Sequence, residues 1–202
     1  MEKPIMNEVI QPAAPQVSPL PRRNNTKLGV WVFLGGEVIF FGGLISSLIM
    51  FRAHHLQDFI AAKSHLSIPL IGLNTFILIL SSFFVVRALE AIQDGSVKGL
   101  RNNLLLVTLL GALFIGGQAF EWVTLHGEGI WFGATFGTPF FTITGIHGTH
   151  VLIGVVWSLI LQYGIRKHAY SQKQHSAIEV FGLYWHFVDV VWIILFTLFY
   201  LI

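Results

Sequence analysis

Titratable side chains sit inside runs that are otherwise apolar, and their spacing narrows what they could do. Glu37 lies within GGEVIFFGG at 35–43, His147 and His150 within TGIHGTHVLIG at 144–154, and His186 and Asp189 within YWHFVDVVW at 184–192. In a helix, His147 and His150 share a face at a spacing of three, and His186 and Asp189 repeat it. An imidazole can ligate a metal or haem iron, whereas an imidazole beside a carboxylate can also relay a proton or tie two helices. A haem held by two imidazoles needs ligands on facing helices across a porphyrin-sized gap, while bulky Trp and Phe side chains flank His186. The preferred reading is therefore an interhelical hydrogen-bond network of His147, His150, His186 and Asp189, with direct ligation second. Glu37 remains open between a proton-accessible or headgroup-contacting acid and a protonated packing acid, since an ionised carboxylate at mid-depth costs at least ~2.5 kcal/mol.

Two further acids carry weaker signals. Glu179 follows a basic connector containing Arg166, Lys167, His168, Lys173 and His175. It reads as an acid placed favourably at a helix start, or as part of a site where Arg166 or Lys167 and His175 hold an anionic lipid headgroup. Glu121 in QAFEW is expected within reach of interfacial water and is given no function. With no cysteine in the chain, thiolate zinc, iron–sulfur and thiolate-bridged copper centres are excluded. The basic residues form small loop clusters rather than a stripe, so nucleic acid is not an expected partner.

These side chains must be positioned by a membrane bundle. Of 202 residues 54% are hydrophobic and 11% charged, with a mean hydropathy of +0.70, against roughly 25% charged in soluble domains. Five stretches are long enough to cross a bilayer, at about 28–51, 68–89, 100–124, 140–165 and 178–202. Short connectors make neighbours antiparallel. The expected fold is all-α, a five-helix membrane domain over 28–202 preceded by a proline-rich disordered cytoplasmic tail over 1–27. Ten of the twelve cations fall in the tail and in the second and fourth connectors; only Arg52 and Lys63 lie on the other side. This bias places the N-terminus inside and the C-terminus outside. Pairs of small residues, Gly42 with Ser46 and Gly43 with Ser47, predict a close helix approach. Five of the six tryptophans, near segment ends or in the outer loop, read as interfacial belts.

The ordered set GGEVIFFGG, LNT at 73–75, QAFEW, FGTPFFTITGIHGTHVLIG at 136–154 and YWHFVDVVW resembles subunit III of haem–copper terminal oxidases, the cytochrome c and quinol oxidases, over nearly everything after residue 27. With five spans the chain is similar to the five-helix bacterial form. The resemblance implies a non-catalytic core subunit in the bacterial cytoplasmic membrane that binds no haem or copper itself. It would pack against the catalytic subunit I, which holds those cofactors, reduces oxygen to water and translocates protons, alongside subunit II. The family also implies structural phospholipid in a cleft, sustained proton uptake and protection from turnover inactivation. Carried onto this sequence, the buried helix acid is Glu37, the histidines are His147 and His150, and the terminal motif supplies Glu179, His186 and Asp189. Arg166 and His175 match basic family positions approximately, because the connector is shorter. Ser46 replaces an aromatic residue of the longer form, which would rearrange that side of the lipid site. Lipid binding or proton-uptake support is thus expected of Glu37, Arg166, His175 and Glu179. Competing readings are an accessory protein of a nitric oxide reductase system, an independent proton or cation transporter using Glu37, His150 and Asp189, and a self-sufficient haem protein.

Overall fold

The computed structural model describes residues 25–202, with side chains from Lys27 onward. Most of the expected tail lies outside the described residues; its last three, Asn25–Lys27, already belong to a helix. The chain forms α1 (Asn25–His54), a short α2 (Leu56–Lys63), α3 (Ile68–Gln93), α4 (Val97–Gly127), α5 (Gly137–Arg166) and α6 (Ser176–Phe196), whose last turn widens into a π-helix at Thr197–Leu201. Five of these, all but α2, are long and apolar enough to span a membrane, and there is no β-strand among the described residues. The helices overrun the apolar stretches: α4 continues three residues past the expected end, to Gly127. Hydropathy falls where side chains meet headgroups, but backbone hydrogen bonding continues beyond that level.

Local chemistry sets the turns. After α3, Gly95 adopts φ +79°, the Ser96 N–H donates to Ala91 O at 2.7 Å and the Gly95 N–H to Ile92 O at 3.0 Å. This paired arrangement closes a helix end where a glycine tolerates the left-handed backbone. Ser96 Oγ then accepts from the Gly99 N–H and caps α4, so α3 and α4 form a tight antiparallel hairpin. Gly129, at φ +84°, ends α4 in the same way.

The packed centre lies among α3, α4, α5 and α6, and tryptophans fill it. Trp185 is fully buried and its Nε1 donates to Ser81 Oγ at 2.9 Å. Trp192, also fully buried, donates to Thr75 Oγ1 at 2.9 Å and stacks on His147 with centroids 4.9 Å apart. These two rings belong to the interior rather than to an interfacial belt, so the reading of five tryptophans as interfacial fails for at least one of them; Trp31 and Trp131 are the exposed ones. A buried indole keeps its apolar area inside and needs one acceptor, which the α3 hydroxyls supply. Glycines make room: a methyl placed on Gly154 would sit 2.5 Å from the Trp185 ring, and one on Gly111 2.9 Å from it. Asn74 donates to Phe114 O at 2.9 Å beside Gly117 and locks α3 to α4.

Helix α1 is held differently. Leu34, Phe41 and Leu48, seven residues apart, are its buried apolar residues, a narrow seam of the kind a 3.5-residue repeat produces. Its principal helix neighbour is α6, where Phe41 meets Phe187 at 6.1 Å. The close approach expected at Gly42 and Gly43 does not occur among the described residues, since a methyl on either would touch nothing of them within 4 Å.

Candidate functional site

Polar ties fasten α1 to the rest of the bundle at three heights. At the inner end by the sequence-derived topology, Lys27 forms an ion pair with Glu179 Oε2. His175 Nε2 lies 3.1 Å from Glu179 Oε1, and its Nδ1–H donates to Gln172 O at 2.7 Å. The connector before α6 thus aims its histidine at the acid of the first turn of that helix, and the two together receive the lysine of α1.

Near mid-depth, Glu37 Oε2 lies 3.2 Å from His150 Nε2, with both side chains largely shielded. His150 Nδ1 sits 2.8 Å from Ile146 O. A carbonyl can only accept, so Nδ1 carries a proton, and one further proton lies between Nε2 and Oε2 in either charge form of the pair. Tyr184 Oη donates to His150 O at 2.8 Å, and the Phe41 ring meets the imidazole edge-on at 5.1 Å. Residues of α1 and α5 therefore hold the imidazole, while α6 holds the backbone of the same residue through Tyr184. At the opposite end, Arg52 Nη1 of α1 donates to Leu198 O at 2.8 Å and Lys63 Nζ of α2 to Leu201 O at 3.0 Å. Cations there satisfy carbonyls that a terminating helix leaves without partners.

The other residues singled out in the sequence fall into separate places. His186 Nδ1 lies 2.5 Å from Ser82 Oγ and joins α6 to α3. His147 is 1% exposed, and neither ring nitrogen has a hydrogen-bond partner among the described residues; it faces Trp192 and Phe114 in the core. Asp189 is buried, with its carboxyl group beside Ser82 of α3. The structure brings Glu37 to His150 and His186 to Ser82, beside which Asp189 also lies, and no direct hydrogen bond links either pair to His147. Although three residues apart, His147 and His150 serve different neighbours, because the turn between them directs one toward α4 and α6 and the other toward α1. Arg166 is exposed at the end of α5, without an ion pair among the described residues.

One buried acid behaves differently from its sequence reading. Glu121 is 2% exposed rather than open to interfacial water; Tyr200 Oη donates to its Oε2 at 2.5 Å and Gln118 Nε2 to the same oxygen at 3.3 Å. Extra helix beyond residue 124 moves it inward, and the π turn carries Tyr200 over it. The i, i+3 pairing of Gln118 and Glu121 was visible in the sequence, but the tyrosine, 79 residues away, was not. Lys27 was likewise counted only as a topology charge. No three His, Cys, Asp or Glu side chains come together as a metal-holding group among the described residues.

The family described as cytochrome c oxidase subunit III matches residues 20–202. The cytochrome c oxidase subunit 3 of Thermostichus vulcanus is 39% identical over 177 residues, 87% of this chain and 86% of that protein. That of Corynebacterium diphtheriae is 38% identical over 94% of this chain and 95% of its own length. The quinol oxidase subunit 3 of Bacillus spizizenii is 35% identical over 86% of this chain and 85% of its own. The described bundle, with the polar ties that hold α1 to it, lies within the residues that the family matches. The chain belongs to the cytochrome c oxidase subunit III family, as a non-catalytic, multi-pass membrane subunit of a terminal oxidase complex.

Proposed function

We propose that this subunit is a strapped scaffold: a rigid α3–α6 bundle holds α1 at fixed distance through Lys27, Glu37 and Arg52, and the assembly shields the catalytic subunit I while supporting proton uptake. The observation that carries this reading is the Glu37–His150 pair, the one place where an acid of α1 meets a titratable partner at mid-depth. Half-buried among the helices, it fixes position rather than opening a path, and its separation from His147 and Asp189 supports a scaffold over a continuous proton relay. Similar identity to cytochrome c and quinol oxidase subunits fits a chain that does not meet the electron donor.

The inner end is the proposed lipid contact. Glu179 is already matched by Lys27 and His175, which leaves Arg166 and Lys167, both exposed, to receive an anionic phosphate headgroup. In this arrangement the N-terminal side faces the cytoplasm of a bacterial inner membrane, subunits I and II are the neighbours, and haem and copper reside in them. A complex purified without this chain is expected to keep its haem spectrum but lose activity faster under continuous turnover. Equal active lifetimes with and without the chain would refute the scaffold role. Glu37→Gln in the assembled complex is expected to shorten that lifetime as well.

A further inference from the structure

The hydroxyls of Thr75, Ser81, Thr108, Thr144 and Thr149 each donate to a carbonyl three or four residues earlier in their own helix. Such a bond fixes where the hydroxyl proton points. Ser82 forms no bond of this kind among the described residues. Its Oγ lies 2.5 Å from His186 Nδ1, and the carboxyl of Asp189 stands beside the same hydroxyl. His186 and Asp189 share a face of α6 at a spacing of three, and Ser82 meets them from α3. The three differ in how open they are. Asp189 is 6% exposed, with both carboxyl oxygens shut off from the surroundings. His186 and Ser82 stand at the edge of the seam, partly exposed, on the side of α6 where Val190 and Ile193 are also exposed.

A serine hydroxyl has one proton to give and lone pairs with which to accept. Between an imidazole and a carboxyl it points at one of them, and the bond on its other side then runs toward it. Two arrangements satisfy all three groups. With Asp189 ionised, Ser82 donates to the carboxylate and His186 Nδ1–H donates to Ser82 Oγ, which leaves Nε2 bare. With Asp189 protonated, the carboxyl donates to Ser82 Oγ, Ser82 donates to Nδ1, and the imidazole carries its proton on Nε2. We propose that Ser82, His186 and Asp189 form a proton-binding site in the α3–α6 seam, loaded from the flank of the bundle at His186 and holding its proton on Asp189. In loading, a proton adds to Nε2, the Nδ1 proton passes to Ser82 Oγ, and the hydroxyl proton passes to the carboxylate. The imidazole ends neutral with its tautomer reversed. Hydrocarbon penalises a lone carboxylate, so the loaded form is neutral throughout. The chain of groups ends at Asp189, since His147 bonds to neither partner, and the site stores a proton rather than conducting one. Other titratable groups on the packed helices are held elsewhere. Arg87 of α3 pairs with Glu90, Glu37 of α1 with His150 of α5, and Glu179 of α6 with Lys27; His147 stacks on Trp192, and Tyr200 holds Glu121 of α4. This site goes beyond the scaffold role and does not rest on it.

The full chain, labelled with nitrogen-15 histidine and reconstituted in phospholipid nanodiscs, gives two readouts. Infrared spectra follow the carboxyl of Asp189, its band identified by loss in Asp189→Asn. Nitrogen NMR follows the tautomer of His186, its signals identified by loss in His186→Gln. As the pH is lowered from about 9 to about 5, a range that covers buried carboxyls and histidines, the protonated Asp189 band is expected to grow. Over the same interval His186 is expected to exchange from the Nδ1–H to the Nε2–H form. In Ser82→Ala the tautomer should no longer follow the carboxyl, and Ser82→Thr, which restores a hydroxyl, should return the coupling. A His186 tautomer that stays the same while Asp189 takes up its proton overturns the proposal. So does an Asp189 that keeps one charge state throughout, or a coupling that survives in Ser82→Ala. The first two outcomes are read on the unaltered chain and do not depend on how well a variant folds.

Discussion

The five glycines of α1 and those facing Trp185 are the same residue in the same kind of spanning helix, yet they act in opposite ways. At Gly111 and Gly154 the absent side chain is filled by an indole ring. At Gly29, Gly35, Gly36, Gly42 and Gly43 nothing else among the described residues comes within 4 Å of where a methyl would stand. Correspondingly, 11% of an 18-residue apolar stretch of α1 is buried, against 56% of such a stretch in the last span. Helices in lipid gain no hydrophobic energy from meeting, so dispersion and hydrogen bonds decide which of them pack. The central bundle has both in quantity; α1 has one apolar seam and a few polar ties.

Substitutions can break or sharpen that contrast. The largest effect is expected from Gly154→Leu, which drives side-chain atoms into a ring with no space to yield. It should destabilise the bundle by roughly 1–3 kcal/mol or more, seen as a marked fall in melting temperature in detergent. Trp192→Phe keeps most of the packing but removes the donor to Thr75. Its expected cost is about 1 kcal/mol, within the range for buried hydrogen bonds, and Thr75→Val in the same background should add little. For His150→Phe the expected loss is smaller, about 0.5 kcal/mol, and regional: amide exchange should rise in α1 around Glu37 and stay unchanged in α4. A global fall in protection would mean that α1 is part of the same cooperative unit. Least affected should be Gly36→Ala, within about ±0.5 kcal/mol for the isolated chain, as at ordinary surface positions. If it matches Gly154→Leu in melting temperature, the division into core and strapped helix is wrong.

The contrast also marks where the sequence was readable. Five long apolar runs announced five spanning helices, because crossing hydrocarbon requires a fixed length and internal backbone pairing. Glu37, His150 and His186 stood out because ionisable groups are costly there. Their partners were harder to find. Small residues four apart at Gly42 and Ser46 looked like a packing motif, although nothing in one helix says whether its face meets its own bundle. Interior tryptophans such as Trp185 and Trp192 could not be told from interfacial ones, because position along a span gives depth but not direction. The amphipathic α2, with Phe59 and Ala62 buried between two spans, was hidden in a connector too short for a clear period.

Composition and ordered motifs alone therefore determined the class, the number of crossings and the family, since each depends on residue type and spacing along one helix. Tertiary structure decided that Lys27 answers Glu179, that Glu37 reaches His150 113 residues away, and that Tyr200 covers Glu121. The physical reason is rotation. A helix's sequence fixes which residues share a stripe, but the stripe that turns inward is chosen only when every neighbouring helix has set its own.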